Sequence, residues 1–252
     1  MVQPKALGII PARLRSTRLP GKLLLKETGK PLIQHTWEAA CRAKRLESVL
    51  IAAEDQEFAE ICQGFGATCI VTGPHPSGSD RIADVVRRLA PKTDLIVNIQ
   101  GDEPEVDPQH IELLVELLDA DPSAEMASLA TPIRTAMQRD DPSCVKVVCD
   151  ASGRAMYFSR STIPAIRDTD PDSALKETPW LMHLGLYAYR RDFLLRFTEN
   201  PPGHLEQLEK LEQLRALEMG ATIRMGIVEH PAVGIDTEAD YRAFVSRWSG
   251  TS

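Results

Sequence analysis

Residues Ile9–Lys22 have the sequence IIPARLRSTRLPGK, in which a short apolar run enters a loop that carries four cations. The apolar run predicts a buried strand over Ala6–Pro11, and the loop closes with a glycine and a lysine. Backbone N–H groups and the heads of lysine and arginine in such a loop can neutralise phosphates. A solvated basic loop is the alternative, but the position directly after a strand favours a polyanion site.

Strands and helices alternate through the first half of the chain. The predicted elements are strand Ala6–Pro11, helix Pro31–Lys44, strand Ser48–Ala53, helix Asp55–Phe65 capped by Asp55, strand Thr68–Val71, helix Asp80–Leu89, strand Asp94–Gln100 and a helix from Asp107 or Pro108 to Ala120. Repeated βα units of this length form a parallel sheet with helices on both faces. We therefore expect an α/β, Rossmann-like, mostly parallel sheet.

The pattern changes after about Asp121 towards antiparallel structure. The predicted elements are strands Ala127–Pro132, Val145–Cys149, Ala155–Phe158, His183–Tyr189 and Thr222–Ile227, one amphipathic helix over Leu205–Met219 with leucines three apart, and a closing helix Thr237–Trp248. The second and third strands flank a turn and form a hairpin, and residues Ser161–Pro179 predict a mobile loop. We expect one domain over residues 1–252, with a smaller antiparallel subregion at about residues 125–200.

Composition excludes several functional classes. A net charge of -7 and a pI near 5.4 argue against a nucleic-acid-binding protein. No apolar run approaches the roughly 18 residues of a membrane span, and we expect that the first residues are not a signal peptide. The five cysteines are odd in number and contain no CxxC pair, which indicates reduced, mostly buried thiols in a cytoplasmic protein.

Three polar loops follow predicted strands, at residues 12–22, 72–81 and 100–104. Ligands of open parallel sheets bind beyond the carboxyl ends of the strands, so these loops should converge. Asp102 follows a buried strand and is well placed to hold Mg²⁺, a cation that shares oxygen ligands with substrate phosphates. Asp107 is the better cap for the next helix, which leaves Asp102 without a structural role.

Other candidate residues have two interpretations each. Asp236 offers a second carboxylate, but it or Thr237 could instead cap the last helix. His183 stands in an apolar run and also reads as a core residue, and Glu212-Gln213 also reads as a solvated helix face. Arg160 ends a hairpin strand, where it could bind a carboxylate in bidentate fashion or pair on the surface.

Taken together, blocks distributed over nearly the whole chain resemble the 3-deoxy-manno-octulosonate (Kdo) cytidylyltransferases, the CMP-Kdo synthetases. The blocks, in order, are residues 9–13 with 16–22, 75–81, 98–104, 145–148, 157–164, 183–190, 211–215 and 234–237. One block would be a weak match, whereas eight in sequence make the resemblance specific. It implies a nucleotide-diphosphosugar-transferase fold, usually a homodimer, that makes CMP-Kdo and pyrophosphate from CTP and Kdo for lipopolysaccharide biosynthesis.

The resemblance also implies roles for individual residues. Those expected to bind CTP are Arg13, Ser16, Lys22, Ser77, Gly78, Arg81 and Gln100; those expected to bind the sugar acid are Arg160, His183, Tyr187, Glu212 and Gln213; and Asp102 and Asp236 are the expected Mg²⁺ ligands. Arg13, Lys22 and the two aspartates form the expected catalytic set. The smaller antiparallel lobe is expected to contribute the sugar pocket and the dimer contacts, with the hairpin Val145–Phe158 as the candidate dimer surface.

We expect the anomeric hydroxyl of the sugar acid to attack the α-phosphorus of CTP directly, without a covalent enzyme intermediate. Two alternatives belong to the same class: the same reaction on 8-amino-8-deoxy-Kdo, or another CMP-sugar synthetase such as CMP-sialic acid synthetase. An alternative from a different class is a nucleotide-sugar sensor without catalysis, against which the presence of Lys22, Asp102 and Asp236 argues.

Overall fold

The computed structural model describes residues 5–13, 18–89, 91–176 and 180–249. In chain order its strands and helices are β1 (Ala6–Ala12), α1 (Leu32–Ala40), β2 (Leu46–Ala53), α2 (Gln56–Gly64), β3 (Thr68–Val71), α3 (Gly78–Leu89), β4 (Leu95–Asn98), α4 (Pro108–Ala120), β5 (Met126–Pro132), α5 (Ala136–Asp140), β6 (Lys146–Cys149), β7 (Ala155–Ser159), α6 (Pro171–Ala174), β8 (Leu181–Arg190), α7 (Arg191–Glu199), α8 (His204–Glu209), α9 (Gln213–Glu218), β9 (Ile223–Ile227) and α10 (Glu238–Ser249). A short 3-10 turn, Lys22–Leu24, precedes α1.

The chain divides into two compact units, one comprising the residues up to Glu112 together with those from Ala232 onward, the other Leu113–Pro231. In the first unit, β1 pairs in parallel with β2 and β4, and β2 pairs in parallel with β3, which gives the strand order β3-β2-β1-β4. The predicted α/β class with a mostly parallel sheet is confirmed. The single-domain interpretation over residues 1–252 stays a prediction.

Local sequence signals account for most of the first unit. The β1 strand is buried along nearly its whole length, as its apolar run requires. The predicted cap of α2 is confirmed, because the Asp55 side chain accepts a hydrogen bond from Phe58 N at 2.8 Å. Asp107 likewise accepts from Gln109 N at 2.8 Å, at the start of α4.

The second unit has a mixed sheet. Within it, β5 pairs antiparallel with β8 and parallel with β9. The predicted hairpin forms from β6 and β7, with Val147 opposite Phe158, and β6 also pairs antiparallel with β8. The β5–β8 register shifts after Ser128, so that Ser128 lies opposite Tyr187 while Leu129 lies opposite Leu184. His183 and Tyr187, which lie on β8 on either side of this bulge, both line a cavity described below.

The prediction of a single helix over Leu205–Met219 is wrong. The chain forms two helices, α8 and α9, and between them Lys210 adopts the left-handed conformation with φ 54°. The backbone carbonyls of Glu209 and Lys210 accept hydrogen bonds from the Arg160 guanidinium, at 2.7 and 3.4 Å. A residue some 50 positions earlier in the chain therefore takes carbonyls that a continuous helix would have used itself.

The loop Ser161–Pro179, the cysteines and the described helices were also the subject of predictions from the sequence. Helix α6 lies within the predicted loop Ser161–Pro179, of which residues 177–179 are outside the described part of the chain. All five cysteines are free thiols, as expected, but only Cys62 is buried and Cys41 is exposed, so the expectation of mostly buried thiols is wrong. Among the described helices, none combines the length and apolar character needed to cross a membrane.

Candidate functional site

A cavity of about 510 Å³ lies in the first unit, beside the carboxyl ends of β1 and β4. Its lining includes Arg13, Arg18, Lys22, His75, Ser77, Gly78, Arg81, Gln100, Gly101, Asp102 and Asp236. These side chains comprise four Lys or Arg cations against two carboxylates. An excess of positive charge in a cleft concentrates anions, so the cavity is suited to a ligand with several negative charges.

Lys22 joins the two carboxylates that line this cavity. Its Nζ donates to Asp102 Oδ2 at 2.5 Å, to Asp236 Oδ1 at 2.9 Å and to the Ile235 carbonyl at 2.7 Å. Burial by itself lowers the pKa of the Lys22 ammonium, but the hydrogen bonds and charges of Asp102 and Asp236 outweigh burial and raise that pKa above its ordinary value. Two acidic side chains more than 130 residues apart in sequence therefore meet at one cation.

Asp236 is available for this contact because another residue caps the last helix. Thr237 Oγ1 accepts from Asp240 N at 3.2 Å, and the Asp240 carboxylate accepts from Thr237 N at 2.8 Å, an arrangement of the capping-box type at the start of α10. The two oxygens of Asp236 contact Lys22 and Arg18, each at 2.9 Å. The cap that the sequence left open between Asp236 and Thr237 is thus made by Thr237.

The amino end of α3 forms another wall of the cavity. Ser77 precedes the helix, and its Oγ accepts from Asp80 N at 3.1 Å. A Cβ atom added to Gly78 would lie 3.3 Å from Pro11 Cγ, so glycine allows the helix start to approach β1 closely. Because the dipole at the amino end of a helix favours negative charge, this end of α3 is suited to a phosphate group.

Arg81 projects from the first turn of α3 and is almost fully buried. Its Nη1 donates to Thr72 Oγ1 and to the Gly73 carbonyl, both at 2.8 Å, which fixes the direction of the guanidinium. Burial lowers the pKa of Arg81, and the positive charge of Arg13 lowers it further, against a raising effect of Glu54. Two cations that repel each other in this way are stabilised when an anion lies between them.

The two carboxylates fit a magnesium ion that arrives with a nucleotide. The described residues contain no group of three or more His, Cys, Asp or Glu side chains able to hold a metal by themselves. Mg²⁺ in nucleotide sites is usually bound by one or two carboxylates together with substrate phosphates and water. Asp102 and Asp236 already share one cationic partner, Lys22, which shows that their oxygens converge on a common point.

The structure brings together every described residue for which a CTP, metal or catalytic role was predicted. Arg13, Lys22, Ser77, Gly78, Arg81, Gln100, Asp102 and Asp236 all line the same cavity. Ser16 lies outside the described residues. Arg18 belongs to the basic loop and contacts Asp236, but no role was predicted for it from the sequence. Its position in that loop, four residues before Lys22, was the signal that could have indicated a place in the cavity.

A second cavity, of about 410 Å³, lies in the second unit. Its lining is Ser143, Cys144, Val145, Met182, His183, Gly185, Tyr187, Lys210, Leu211, Glu212 and Gln213. Four of the five predicted sugar-binding residues are among them, namely His183, Tyr187, Glu212 and Gln213. Gln213 is only 4% exposed, so it does not belong to a solvated helix face. The break between α8 and α9 is what turns Lys210–Gln213 towards this cavity.

A chain of polar contacts crosses the second cavity. Tyr187 Oη donates to Gln213 Oε1 at 3.5 Å, and Gln213 Nε2 lies 3.4 Å from His183 Nδ1. On the other side of the ring, His183 Nε2 lies 2.9 Å from Ser128 Oγ. The hydroxyl proton of Ser128 has two carbonyl acceptors within reach, that of Leu184 at 3.1 Å and that of Leu186 at 3.0 Å. A neutral His183 protonated on Nε2 satisfies all four contacts. Sequence reasoning missed Ser128, because a serine in a buried strand carries no local signal of function.

The guanidinium of Arg160 is not part of the cavity lining. It donates to the carbonyls of Pro142, Glu209 and Lys210, at 3.0, 2.7 and 3.4 Å. Its neighbour Ser159 and its own backbone N–H donate to the Glu209 carboxylate, at 2.6 and 2.9 Å. Neither a surface ion pair nor a free bidentate head describes this side chain, and its predicted contact with a sugar acid stays a prediction.

The desolvated ring of His183, whose two nitrogens both have hydrogen-bonding partners, predicts a pH-dependent stability. Desolvation lowers the pKa of His183 to about 3. In the unfolded chain the ring takes up a proton near its ordinary pKa, so acidification below about pH 6.5 favours unfolding. We expect His183 to cost about 1–2 kcal/mol of unfolding free energy between pH 7.5 and pH 5. Urea unfolding of the protein and of His183→Asn at both pH values measures this cost as a change in their difference.

The control for this measurement is the same substitution at the exposed His204, which lies outside both cavities. The stability of wild type relative to His183→Asn should fall on going to pH 5. A difference that stays constant between the two pH values would show that His183 is not held neutral in the folded protein.

The comparisons with known proteins agree with this geometry. The model of a family described as Cytidylyltransferase matches residues 7–223. The 3-deoxy-manno-octulosonate cytidylyltransferase of Rhodopirellula baltica is 46% identical over 246 residues, covering 96% of this chain and 98% of the relative. The 8-amino-3,8-dideoxy-manno-octulosonate cytidylyltransferase of Shewanella baltica is 44% identical over 237 residues, covering 93% of this chain and 94% of the relative.

A solved structure shows the same fold over its full length. It is a CMP:2-keto-3-deoxy-manno-octonic acid synthetase complexed with CTP, with 38% identity and a TM-score of 0.90, covering 98% of this chain and 100% of that chain. A parallel sheet with a cationic cavity and two convergent carboxylates, matched at this level, defines the protein as a nucleotidyltransferase. The chain belongs to the cytidylyltransferase family and, within it, to the 3-deoxy-manno-octulosonate cytidylyltransferases.

Proposed function

We propose that this protein transfers CMP from CTP to the anomeric hydroxyl of Kdo, giving CMP-Kdo and pyrophosphate for lipopolysaccharide biosynthesis. The observation that carries the proposal is the meeting of Lys22, Asp102 and Asp236 in a cavity with an excess of cations. The names of the relatives and of the CTP-complexed structure support the choice of nucleotide and acceptor.

The chemistry of the proposed reaction requires charge neutralisation more than covalent participation. The Lys22 ammonium donates its three protons to Asp102, Asp236 and the Ile235 carbonyl, so it binds the triphosphate by exchanging these acceptors for phosphate oxygens. With Arg13 it then stabilises the charge that develops on the departing pyrophosphate. The amino end of α3, with Ser77 and Gly78, holds a further phosphate or the nucleoside side of the ligand, and Arg81 keeps the local potential positive. The hydroxyl of the acceptor attacks the α-phosphorus directly, so trapping of a nucleotidyl-enzyme adduct would contradict the mechanism.

Magnesium is the proposed cofactor, with Asp102 and Asp236 as its protein ligands. When bound, it would polarise the α-phosphate and increase the acidity of the attacking hydroxyl. The side chains of this protein supply the other contacts with the substrates. Lys22 neutralises phosphate charge. The residues that hold the acceptor are His183, Tyr187, Glu212 and Gln213. His183 remains neutral at physiological pH, because burial lowers its pKa to about 3, so it acts as a hydrogen-bonding group rather than as a countercharge.

The experiment that tests the proposed function is a pyrophosphate-release assay with CTP, Mg²⁺ and Kdo. We expect turnover with this combination, and little turnover when Kdo is omitted or when UTP or GTP replaces CTP. Parallel reactions with 8-amino-8-deoxy-Kdo and with sialic acid test the alternative acceptors. Absence of pyrophosphate release with every acceptor would support a non-catalytic nucleotide-sugar sensor and overturn the proposal.

We further propose that the protein is a cytoplasmic homodimer. The predicted dimer surface on the hairpin included Val147, which is buried within this chain and so is not available to a second copy. A dimer contact through the hairpin would therefore use its exposed face. Met156, on the other strand of the hairpin, is 63% exposed and is the better apolar contact residue. Light scattering at micromolar concentration should give twice the mass of the 27.9 kDa chain, and a monomeric mass would contradict the dimer.

A further inference from the structure

A buried lysine lies next to the second cavity and has no assigned role. Lys146, the first residue of β6, is 0% exposed. Its Nζ donates to the carbonyls of Asp141, Cys144 and Arg160, at 2.9, 2.7 and 2.9 Å, which uses all three ammonium protons. Within the described part of the chain, no carboxylate lies within ion-pair distance of this ammonium.

The positive charge of a fully buried lysine lowers the stability of the folded protein unless it is compensated. Transfer of an ammonium from water to a protein interior is unfavourable unless hydrogen bonds and opposite charges compensate it. Burial lowers the pKa of Lys146, and Asp140 and Asp141 offset this effect only in part. A methionine would fill the same volume at β6 without this cost, so the ammonium must supply something that packing does not.

The three carbonyl partners of Lys146 identify what it supplies. Cys144 is a lining residue of the second cavity, and Asp141 begins the turn that leads into it, so Lys146 fixes the first wall of the cavity, Ser143–Val145. The third partner is the backbone of Arg160, whose guanidinium bonds the carbonyls of Glu209 and Lys210. Those carbonyls belong to the second wall, Lys210–Gln213, or directly precede it.

The two cations therefore form one continuous connection between the walls. Arg160 itself reaches both sides, because it also donates at 3.0 Å to the carbonyl of Pro142, which directly precedes the first wall. The second wall begins where the chain leaves the helical path, at Lys210, and the carbonyls of Glu209 and Lys210 accept hydrogen bonds from Arg160 at this point. We name Lys146 and Arg160, with their carbonyl partners, the carbonyl clamp.

We propose that Lys146 is a positioning residue of the acceptor cavity: through the carbonyl clamp it sets the separation of the two walls that receive an anionic sugar acid. This proposal rests on the proposed function for the identity of the acceptor, although the clamp itself does not. No carboxylate of the described residues contacts the positive charge of Lys146. This charge therefore also favours an acceptor that carries a carboxylate over a neutral sugar.

The test uses Lys146→Met, which keeps the side-chain volume and removes the ammonium. Because hydrogen bonds to a charged group are involved, we expect the KM for Kdo to rise about tenfold or more, with the Kd for CTP changed by less than about twofold. Kinetics are measured well below the unfolding temperature of each variant. An unchanged KM for Kdo in a folded Lys146→Met protein would overturn the proposal.

Arg190→Met is the matched control. Arg190 also gives its guanidinium to backbone carbonyls, those of Ala124, Leu118 and Asp121, but it lies outside the lining of the second cavity. Its loss should lower stability without changing the KM for Kdo. If Arg190→Met raises this KM as much as Lys146→Met does, the effect is one of general stability and the positioning role is refuted.

A second variant and a substrate-free readout cover the remaining cases. Arg160→Met breaks the same connection at its next step, so the double variant should raise the KM for Kdo no more than the stronger single variant does. Hydrogen–deuterium exchange should become at least about tenfold faster at residues 209–213 in Lys146→Met but not in Arg190→Met. Exchange that is unchanged at residues 209–213 would refute the clamp even if wild type proves inactive with Kdo, a result that would instead contradict the proposed function.

Discussion

Asp102→Asn is expected to lower kcat for pyrophosphate release by about 10³-fold while the protein remains folded. The substitution keeps the size of the side chain and its hydrogen-bonding oxygen towards Lys22, but it removes the negative charge that a divalent cation needs. Loss of a single preorganised electrostatic contact at a reacting centre commonly costs two to three orders of magnitude in kcat. Steady-state kinetics with CTP, Mg²⁺ and Kdo, together with circular dichroism, provide the measurement.

The matched control is Asp107→Asn, five residues further on. Asp107 accepts a hydrogen bond at the start of α4 and does not line the cavity. Because asparagine caps helices about as well as aspartate, this variant should retain near-normal kcat and stability. Turnover of Asp102→Asn within a few-fold of wild type would show that the charge of Asp102 is not required, and the assignment of the metal ligands would then be wrong.

Lys22→Met is expected to lower kcat/KM for CTP by about 10²- to 10³-fold. The ammonium is a partner of both carboxylates and is only 11% exposed, so the variant loses the phosphate-binding cation and leaves Asp102 and Asp236 to repel an incoming triphosphate. Calorimetric titration with CTP separates the two effects, because weakened binding appears in Kd and loss of leaving-group stabilisation appears in kcat.

Lys30→Met serves as the control for this second substitution. Lys30 also contacts a carboxylate, that of Glu38, at 2.5 Å, but both side chains are partly exposed, at 29% and 36%, and neither lines the cavity. A pair that solvent reaches in this way contributes about 0–1 kcal/mol to stability, and kcat/KM should not change. If Lys22→Met binds CTP and turns it over as wild type does, Lys22 is only a structural bridge between the two aspartates.

Much of the first unit was predictable from sequence because its signals are local. The apolar run of β1, the cap at Asp55 and the strand β3 each depend on residues within a few positions of one another. The polar loops could be assigned to one edge of the sheet from the strand pattern alone, since parallel strands must present their carboxyl ends together. The residues of the predicted CTP site that the structure describes do lie in one cavity.

The second unit was less predictable because its decisive contacts are long-range. Leucines three apart over Leu205–Met219 favour one helix, and no local residue indicates a break. The break at Lys210 follows from Arg160, and Arg160 is held in turn by the backbone contact with Lys146. A sequence pattern cannot show which carbonyl a distant guanidinium will take.

The sequence by itself determined the alternation of strands and helices, the anionic character of the ligand and the identity of the polar residues near it, because periodicity and charge are properties of neighbouring residues. Only the tertiary structure decided that Lys22 joins Asp102 to Asp236, that Thr237 rather than Asp236 caps the last helix, and that Lys146 and Arg160 connect the walls of the second cavity. Those choices depend on which buried donor reaches which acceptor across the fold, and that pairing is settled by three-dimensional packing rather than by position in the chain.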